Sequence, residues 1–352
     1  MDNSRVITIK NYLHENKVDA YLITDKEDQF YVANYTGDDG FVVIDAENKY
    51  IVTDARFFEQ IKLEAPEFEV IDINKQSLAD FLSSKYKLVA IESDSLLTQD
   101  YQAIVAKGVE TVSANLVIKK MRMYKSTEEI GYIQKAADIT DKVYDHIINF
   151  MKVGMTEVEV ADEIEATGKK LGAQKLSFET IVASGVRSSF PHGDATDKVI
   201  EDGDVVTLDF GFVYNNYYSD TTRTVVMGTA TEEVKKVYSI VKGAEELGIK
   251  FAPMVETFGD LDRAVRGYID DSGYGKYFNH GTGHGLGLVC HDYPIIRTSN
   301  DDQLEDGIVF TIEPGIYLPN KFGVRIEDDI YKDDNGETVH VTKSTNELII
   351  IK

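Results

Sequence analysis

The chain is poor in the residues that brace or anchor a protein from outside its core. It has one cysteine, Cys290, in 352 residues, which excludes an internal disulfide framework and suits a reducing compartment. Lys and Arg number 37 against 61 Asp and Glu, giving a net charge of −24. That balance argues against nucleic acid and anionic membrane surfaces as partners, because binding to either is driven by basic side chains. No apolar run approaches the roughly 18 residues that span a bilayer, and the opening Met1-Asp2-Asn3-Ser4-Arg5-Val6 has no signal-peptide core. A cytoplasmic protein is the expectation. Solenoid periods and low-complexity tracts are also missing. What remains is a chain 43% hydrophobic, enough for ordinary cores and long enough for two domains.

The first hundred-odd residues alternate helix-like and strand-like pieces. An amphipathic stretch from Arg5 to Asn16 is followed by the apolar run Ala20 to Thr24, a hairpin pattern from Phe41 to Asp54, and a buried strand pattern at Leu88 to Glu92. No catalytic cluster lies there. The character changes near residue 122. Ser126 or Thr127 followed by acidic residues predicts a helix start, and the apolar spacing from Ile130 through Ile133, Ala137, Val143, Ile147 and Phe150 is helical. Thr156 predicts a second start, and further helices are expected near 231 to 250 and 257 to 271. The expected domains are 1–122 and 123–352, in an α+β fold.

The second half holds Asp209, Asp220, His284, Glu313 and Glu327, each in a Gly- or aromatic-rich, strand-like setting. Four carboxylates gathered without a cation would repel one another and take up protons, whereas two divalent ions would cancel their charge. Between Asp204 and Val213, Val206, Leu208 and Phe210 alternate with Thr207, Asp209 and Gly211, so Asp209 turns away from the apolar face. A hairpin centred between Tyr214 and Asn215 would place Asp209 opposite Asp220, with Cβ atoms about 5 Å apart. Four of the seven histidines, His192, His280, His284 and His291, sit in the same half beside or near glycine or proline. The segment Asn279 to Leu288 is Gly-rich but lacks the lysine of a phosphate loop. Its glycines are expected to let backbone pass close to a buried site.

In order, DFG at Asp209, SDTTR at Asp220, HGTGHGLGL at His284, TIEPGIY at Glu313 and GVRIEDD at Glu327 resemble the pita-bread metallopeptidases, in particular their Xaa-Pro branch of aminopeptidase P and prolidase. The resemblance covers essentially the whole chain. Thr53-Asp54-Ala55-Arg56-Phe57 resembles the branch's N-terminal, creatinase-like α/β domain, which precedes a pita-bread catalytic domain. It implies five metal ligands at Asp209, Asp220, His284, Glu313 and Glu327, with Asp220 and Glu327 bridging two ions. It also implies His192 and His291 as substrate and proton-transfer histidines, His280 as a pocket histidine, Arg325 as a support of the hydrogen-bond network and Tyr317 as an aromatic neighbour. Glu313 is the expected proton acceptor as well as a ligand.

The oxygen-rich donor set with one imidazole suits Mn²⁺, with Co²⁺, Zn²⁺ or Fe²⁺ as alternatives. The implied activity is hydrolysis of the bond between an N-terminal residue and proline, by a homodimer acting on Xaa-Pro peptides. Action on dipeptides alone, as in prolidase, is the alternative. Methionine aminopeptidases usually lack the N-terminal domain, while creatinases and inert peptide-binding relatives lose ligands that this chain retains. One stretch departs from the pattern: Asp292 follows His291 where Glu is common, and Val289 stands where an acidic residue is frequent. Cys290 between them is expected to be a buried, inert thiol rather than a soft ligand or redox sensor.

Overall fold

Ser126 and Thr156 both become helix caps in the computed structural model, which describes residues 3–352. Ser126 opens Thr127–Phe150 and Thr156 opens Glu157–Lys170, each through a reciprocal box with the glutamate three positions on. The chain divides after Arg122 into two compact units.

In the first unit six strands lie in the order Glu69–Asp72, Lys49–Thr53, Phe41–Asp45, Ala20–Ile23, Leu88–Ile91, Glu110–Ser113. The sheet is mixed, since Ala20–Ile23 runs parallel to Leu88–Ile91 and antiparallel to Phe41–Asp45. All four residues of Ala20–Ile23 are buried, as expected of a central strand covered on both faces. Leu22, Val43, Val52, Phe81, Leu82 and Val89 belong to the core on one side. Asp28 and Arg122 form a buried ion pair of 2.7 Å within this unit.

The second unit is built on two larger sheets, a hairpin and a small three-stranded sheet of Tyr217–Tyr218, Phe212–Tyr214 and Lys175–Leu176. One sheet orders Ile349–Ile351, Thr221–Met227, Val205–Phe210 and Ile181–Ser184; the other orders Asp292–Ile296, Gly283–Gly285, Val309–Ile312, Asp328–Lys332 and Thr338–His340. Gly315–Leu318 and Phe322–Arg325 make the hairpin. Val206, Leu208 and Phe210 pack with Val143, Ile147, Val160 and Ile164 of the first two helices. From the opposite face, Val205 and Val226 pack with Val237 and Val241 of helix Glu232–Phe251 and with Val324 of the hairpin. The alternation in strand Val205–Phe210 therefore puts Asp209 on the hairpin side, away from the Leu208 face.

The register differs from the expected one. Tyr214 pairs with Tyr217 and Val213 with Tyr218, around Asn215 and Asn216 at φ 48° and 69°. Two successive left-handed residues form the two-residue turn whose twist suits a hairpin, so the centre falls one residue later than expected. Asp209 consequently pairs with Thr222, not Asp220. Asp220 falls in a break in the ladder near Gly211, where an added Cβ would meet Ser219 O at 1.8 Å. The two aspartates are diagonal neighbours across the strands rather than direct partners.

Candidate metal centre

Each of the five residues is set by backbone before its side chain does anything. Asp209 ends strand Val205–Phe210 but for one residue, and Asp220 immediately precedes Thr221–Met227. The Asp220 N–H donates to buried Asp329 at 2.9 Å. Glu313 follows Val309–Ile312, and its N–H donates to Thr282 O at 2.8 Å. Glu327 sits between Phe322–Arg325 and Asp328–Lys332; its N–H donates to Thr222 O at 3.1 Å while Thr222 Oγ1 donates to its Oε2 at 2.6 Å. His284 lies in Gly283–Gly285, where an added Cβ on Gly283 would meet Thr311 O at 2.0 Å. Only glycine permits that approach.

His284 donates from Nδ1 to Gly285 O at 3.0 Å, so in the neutral ring Nε2 carries the lone pair. That nitrogen faces Asp220 Oδ2 at 3.6 Å and Glu313 Oε1 at 3.7 Å. One donor atom each from Asp220, His284 and Glu327 lie within 4.8 Å of one another. Burial, then Glu327, Asp209 and Asp329, raise the Asp220 carboxyl well above the usual range. Burial and then Glu327 do the same to Glu313, and burial and then Asp209 push Glu327 to about 7. Burial lowers His284 to about 4, with His291 adding to the effect. Asp209 Oδ1 and Asp220 Oδ1 are buried without a hydrogen-bond partner. Orphaned carboxylate oxygens, crowded acids and an aimed imidazole lone pair together fit a divalent cation.

Of the remaining expected residues, His192, His280, His291 and Arg325 join these five around one cavity of about 490 Å³, while Tyr317 is reached through its hydrogen bonds with His280 and Arg325. They divide into two kinds. His280 is committed: Nδ1 donates to Gly281 O at 2.8 Å, leaving Nε2 to accept from Tyr317 Oη at 2.9 Å. Burial, with the Arg325 charge next, lowers it to about 4. Arg325 in turn donates to Tyr317 Oη at 2.8 Å, Pro191 O at 3.0 Å, Thr222 Oγ1 at 3.0 Å and Asp209 Oδ2 at 2.5 Å. His192 and His291 are instead exposed to the cavity. The His291 ring lies 4.3 Å from that of His284, and burial lowers its pKa.

Other contributors carried no role in the sequence. Phe178, Glu179, Asp194 and Ile295 line the cavity, and Thr222 and Asp329 orient Glu327 and Asp220. Thr222 and Asp329 lie inside the SDTTR and GVRIEDD segments, whose hydroxyl and extra carboxylate were the available signal. Cys290 is buried as expected, but its thiol also donates to Asp220 Oδ2 at 2.9 Å. Burial first and Asp220 second hold that thiol well above its ordinary pKa.

Comparison with known proteins gives two family matches and several similar proteins. Residues 131–333 match metallopeptidase family M24, and residues 5–124 match the creatinase/prolidase N-terminal domain. The chain is 36% identical to the Xaa-Pro dipeptidase of Pyrococcus horikoshii, over 99% of each chain. An Xaa-Pro dipeptidase structure from Bacillus anthracis superposes with a TM-score of 0.93 at 37% identity, covering 99% of both chains. The X-Pro aminopeptidase of Thermotoga maritima MSB8 gives a TM-score of 0.86 at 36% identity, with 95% of this chain and 98% of that one covered.

Proposed function

From a chain that belongs to metallopeptidase family M24 and carries a creatinase/prolidase N-terminal domain, we propose metal-dependent hydrolysis of the peptide bond between an N-terminal residue and proline. The observation that carries this reading is the convergence of Asp209, Asp220, His284, Glu313 and Glu327 on one cavity, with orphaned oxygens on two of the aspartates. Residues 123–352 form the catalytic domain in this reading, and residues 1–122 a non-catalytic one. The five side chains would hold two divalent ions, manganese in preference to cobalt, zinc or iron, with Asp220 and Glu327 shared between them. Such ions polarise a carbonyl and acidify a water molecule.

The protein's own groups then divide the work. Glu313 accepts the proton of the attacking water, being within reach of the ligand cluster. His291 and His192, whose rings are exposed to the cavity, donate hydrogen bonds to the developing oxyanion and a proton to the departing proline nitrogen. His280 has both ring nitrogens engaged, so with Tyr317 it forms a wall, and Arg325 holds Asp209 at a fixed angle. Xaa-Pro bonds have no N–H and a restricted preceding residue, so a site fitted to the pyrrolidine ring gains selectivity. We place the enzyme in the cytoplasm, as a homodimer.

Substrate length divides the reading in two. Likeness to the Xaa-Pro dipeptidases of Pyrococcus horikoshii and Bacillus anthracis supports the prolidase reading, and likeness to the X-Pro aminopeptidase of Thermotoga maritima MSB8 supports the aminopeptidase reading. The test is hydrolysis of Ala-Pro beside an Ala-Pro-Pro-type peptide by protein stripped of metal and resupplied with Mn²⁺. Cleavage of both identifies an aminopeptidase P, and of the dipeptide alone a prolidase. No metal-dependent cleavage of either overturns the assignment and favours a peptide-binding module.

A further inference from the structure

Asp262 has a fully buried side chain, yet it does not line the cavity. It lies on helix Phe258–Asp271, one turn before Arg266, to which it is paired at 3.1 Å. Its Oδ1 accepts from Thr282 N at 3.1 Å and from Thr282 Oγ1 at 2.8 Å, while Oδ2 accepts from Thr298 Oγ1 at 2.5 Å. Arg266 donates to Phe278 O at 3.1 Å and His280 O at 2.7 Å. Its guanidinium also covers the Phe278 ring at 4.4 Å, and that ring meets His280 edge-on at 5.0 Å.

These contacts reach the glycine-rich segment at its weakest points. Gly281 and Gly283 flank Thr282, and glycine gives the backbone no side chain with which to hold itself. Thr282 lies two residues from both His280 and His284, and its carbonyl accepts the Glu313 N–H at 2.8 Å. One carboxylate thus grips the backbone beside His284, and through Thr282 the backbone of Glu313. Its arginine partner grips the backbone at His280.

We infer that Asp262 and Arg266 are positioning residues for the metal centre, a helix-borne clamp that sets His284, Glu313 and His280 without touching substrate or ion. The inference rests on the proposed metal site. Partners one step removed from ligands typically change metal affinity or activity by 10- to 100-fold when altered.

The test compares Asp262→Asn with Val265→Ala, which trims a buried side chain of the same helix that faces the core rather than the clamp. Mn²⁺ binding is read by titration calorimetry, with kcat, KM and Tm alongside. Asp262→Asn keeps an acceptor for Thr282 but turns a donor toward Arg266 or Thr298. It is expected to weaken Mn²⁺ binding on the order of 10-fold or more and to lower kcat with little change in KM. Val265→Ala is expected to lower Tm while leaving Mn²⁺ affinity and kcat as they were. Arg266→Gln, at a partly exposed position, reads the other half of the clamp should Asp262→Asn not fold, and is expected to shift affinity and kcat the same way by a smaller factor. Affinity and kcat unchanged in the folded Asp262→Asn or Arg266→Gln protein, or lowered equally in Val265→Ala, overturn the clamp. Failure of the unaltered protein to bind Mn²⁺ would overturn both the clamp and the proposed function, which separates that outcome from the others.

Discussion

Asp220 and Glu327 each bring a carboxylate to the place where the others crowd most, so truncating either should cost more than its own charge. In Asp220→Ala or Glu327→Ala we expect bound metal and turnover to be lost with the fold kept; elemental analysis and circular dichroism check this, and near-normal activity in either variant would sink the two-ion reading. His291→Ala is expected to keep its metal and to lose about 10²- to 10⁴-fold in kcat, the usual worth of a positioned proton-transfer group. Metal loss in that variant would give His291 a ligand's role instead. Arg325→Met leaves the Asp209 carboxylate buried without its cation. In metal-free protein that should cost about 3–5 kcal/mol, the usual effect of breaking a buried pair, measured by denaturant unfolding.

At the scale of elements, glycine fixes how near one strand may come to another. Gly283→Ala forces a Cβ against Thr311 O, and overpacking of this kind costs about 1–3 kcal/mol. We expect a lower Tm together with weaker metal binding, because His284 is the next residue; a variant unchanged in both would show that the backbone gives way freely there. The sequence spoke clearly where the physics is local. The Ser126 and Thr156 caps, the apolar face of Val206, Leu208 and Phe210, and the sense of the Asp209 side chain all follow from a few neighbouring residues. Register was less legible, although Asn215-Asn216 does carry the signal: both residues tolerate positive φ, and centring the turn on that pair gives Asp209 opposite Thr222. Phe178, Glu179 and Asp194 could not be found in advance, since no spacing rule brings loop residues to a cavity wall, nor could Ile295, whose strand meets His284 only through long-range pairing. The same holds for Asp262, which sits on a helix expected near 257 to 271 with no role read for any of its side chains.

For the molecule as a whole, metal and pH should act together on stability. Glu327 is raised from 4.5 to about 7 in the fold, so the stability linked to its proton is present below 4.5 and lost as pH rises through about 7. His280 and His284 are depressed from 6.5 to about 4; their contribution is complete above 6.5 and is lost as pH falls toward 4. Between about pH 6.5 and 8 the carboxylate effect changes, and His340, raised by its hydrogen bond with Asp328, changes in the same sense. Metal-free protein should therefore lose Tm over that interval, and added Mn²⁺ should raise Tm more at about pH 8 than at 6.5, as calorimetry can show. An equal shift at both would mean that the crowded acids are not what the cation relieves. Cys290, the chain's one thiol, makes the centre observable by a different route. Because it is buried against Asp220, an alkylating reagent can reach it only when the structure around the ligands opens. Its rate of labelling is then a clock for that opening in the unaltered protein, with no competing cysteine to confuse the signal and no reporter to install.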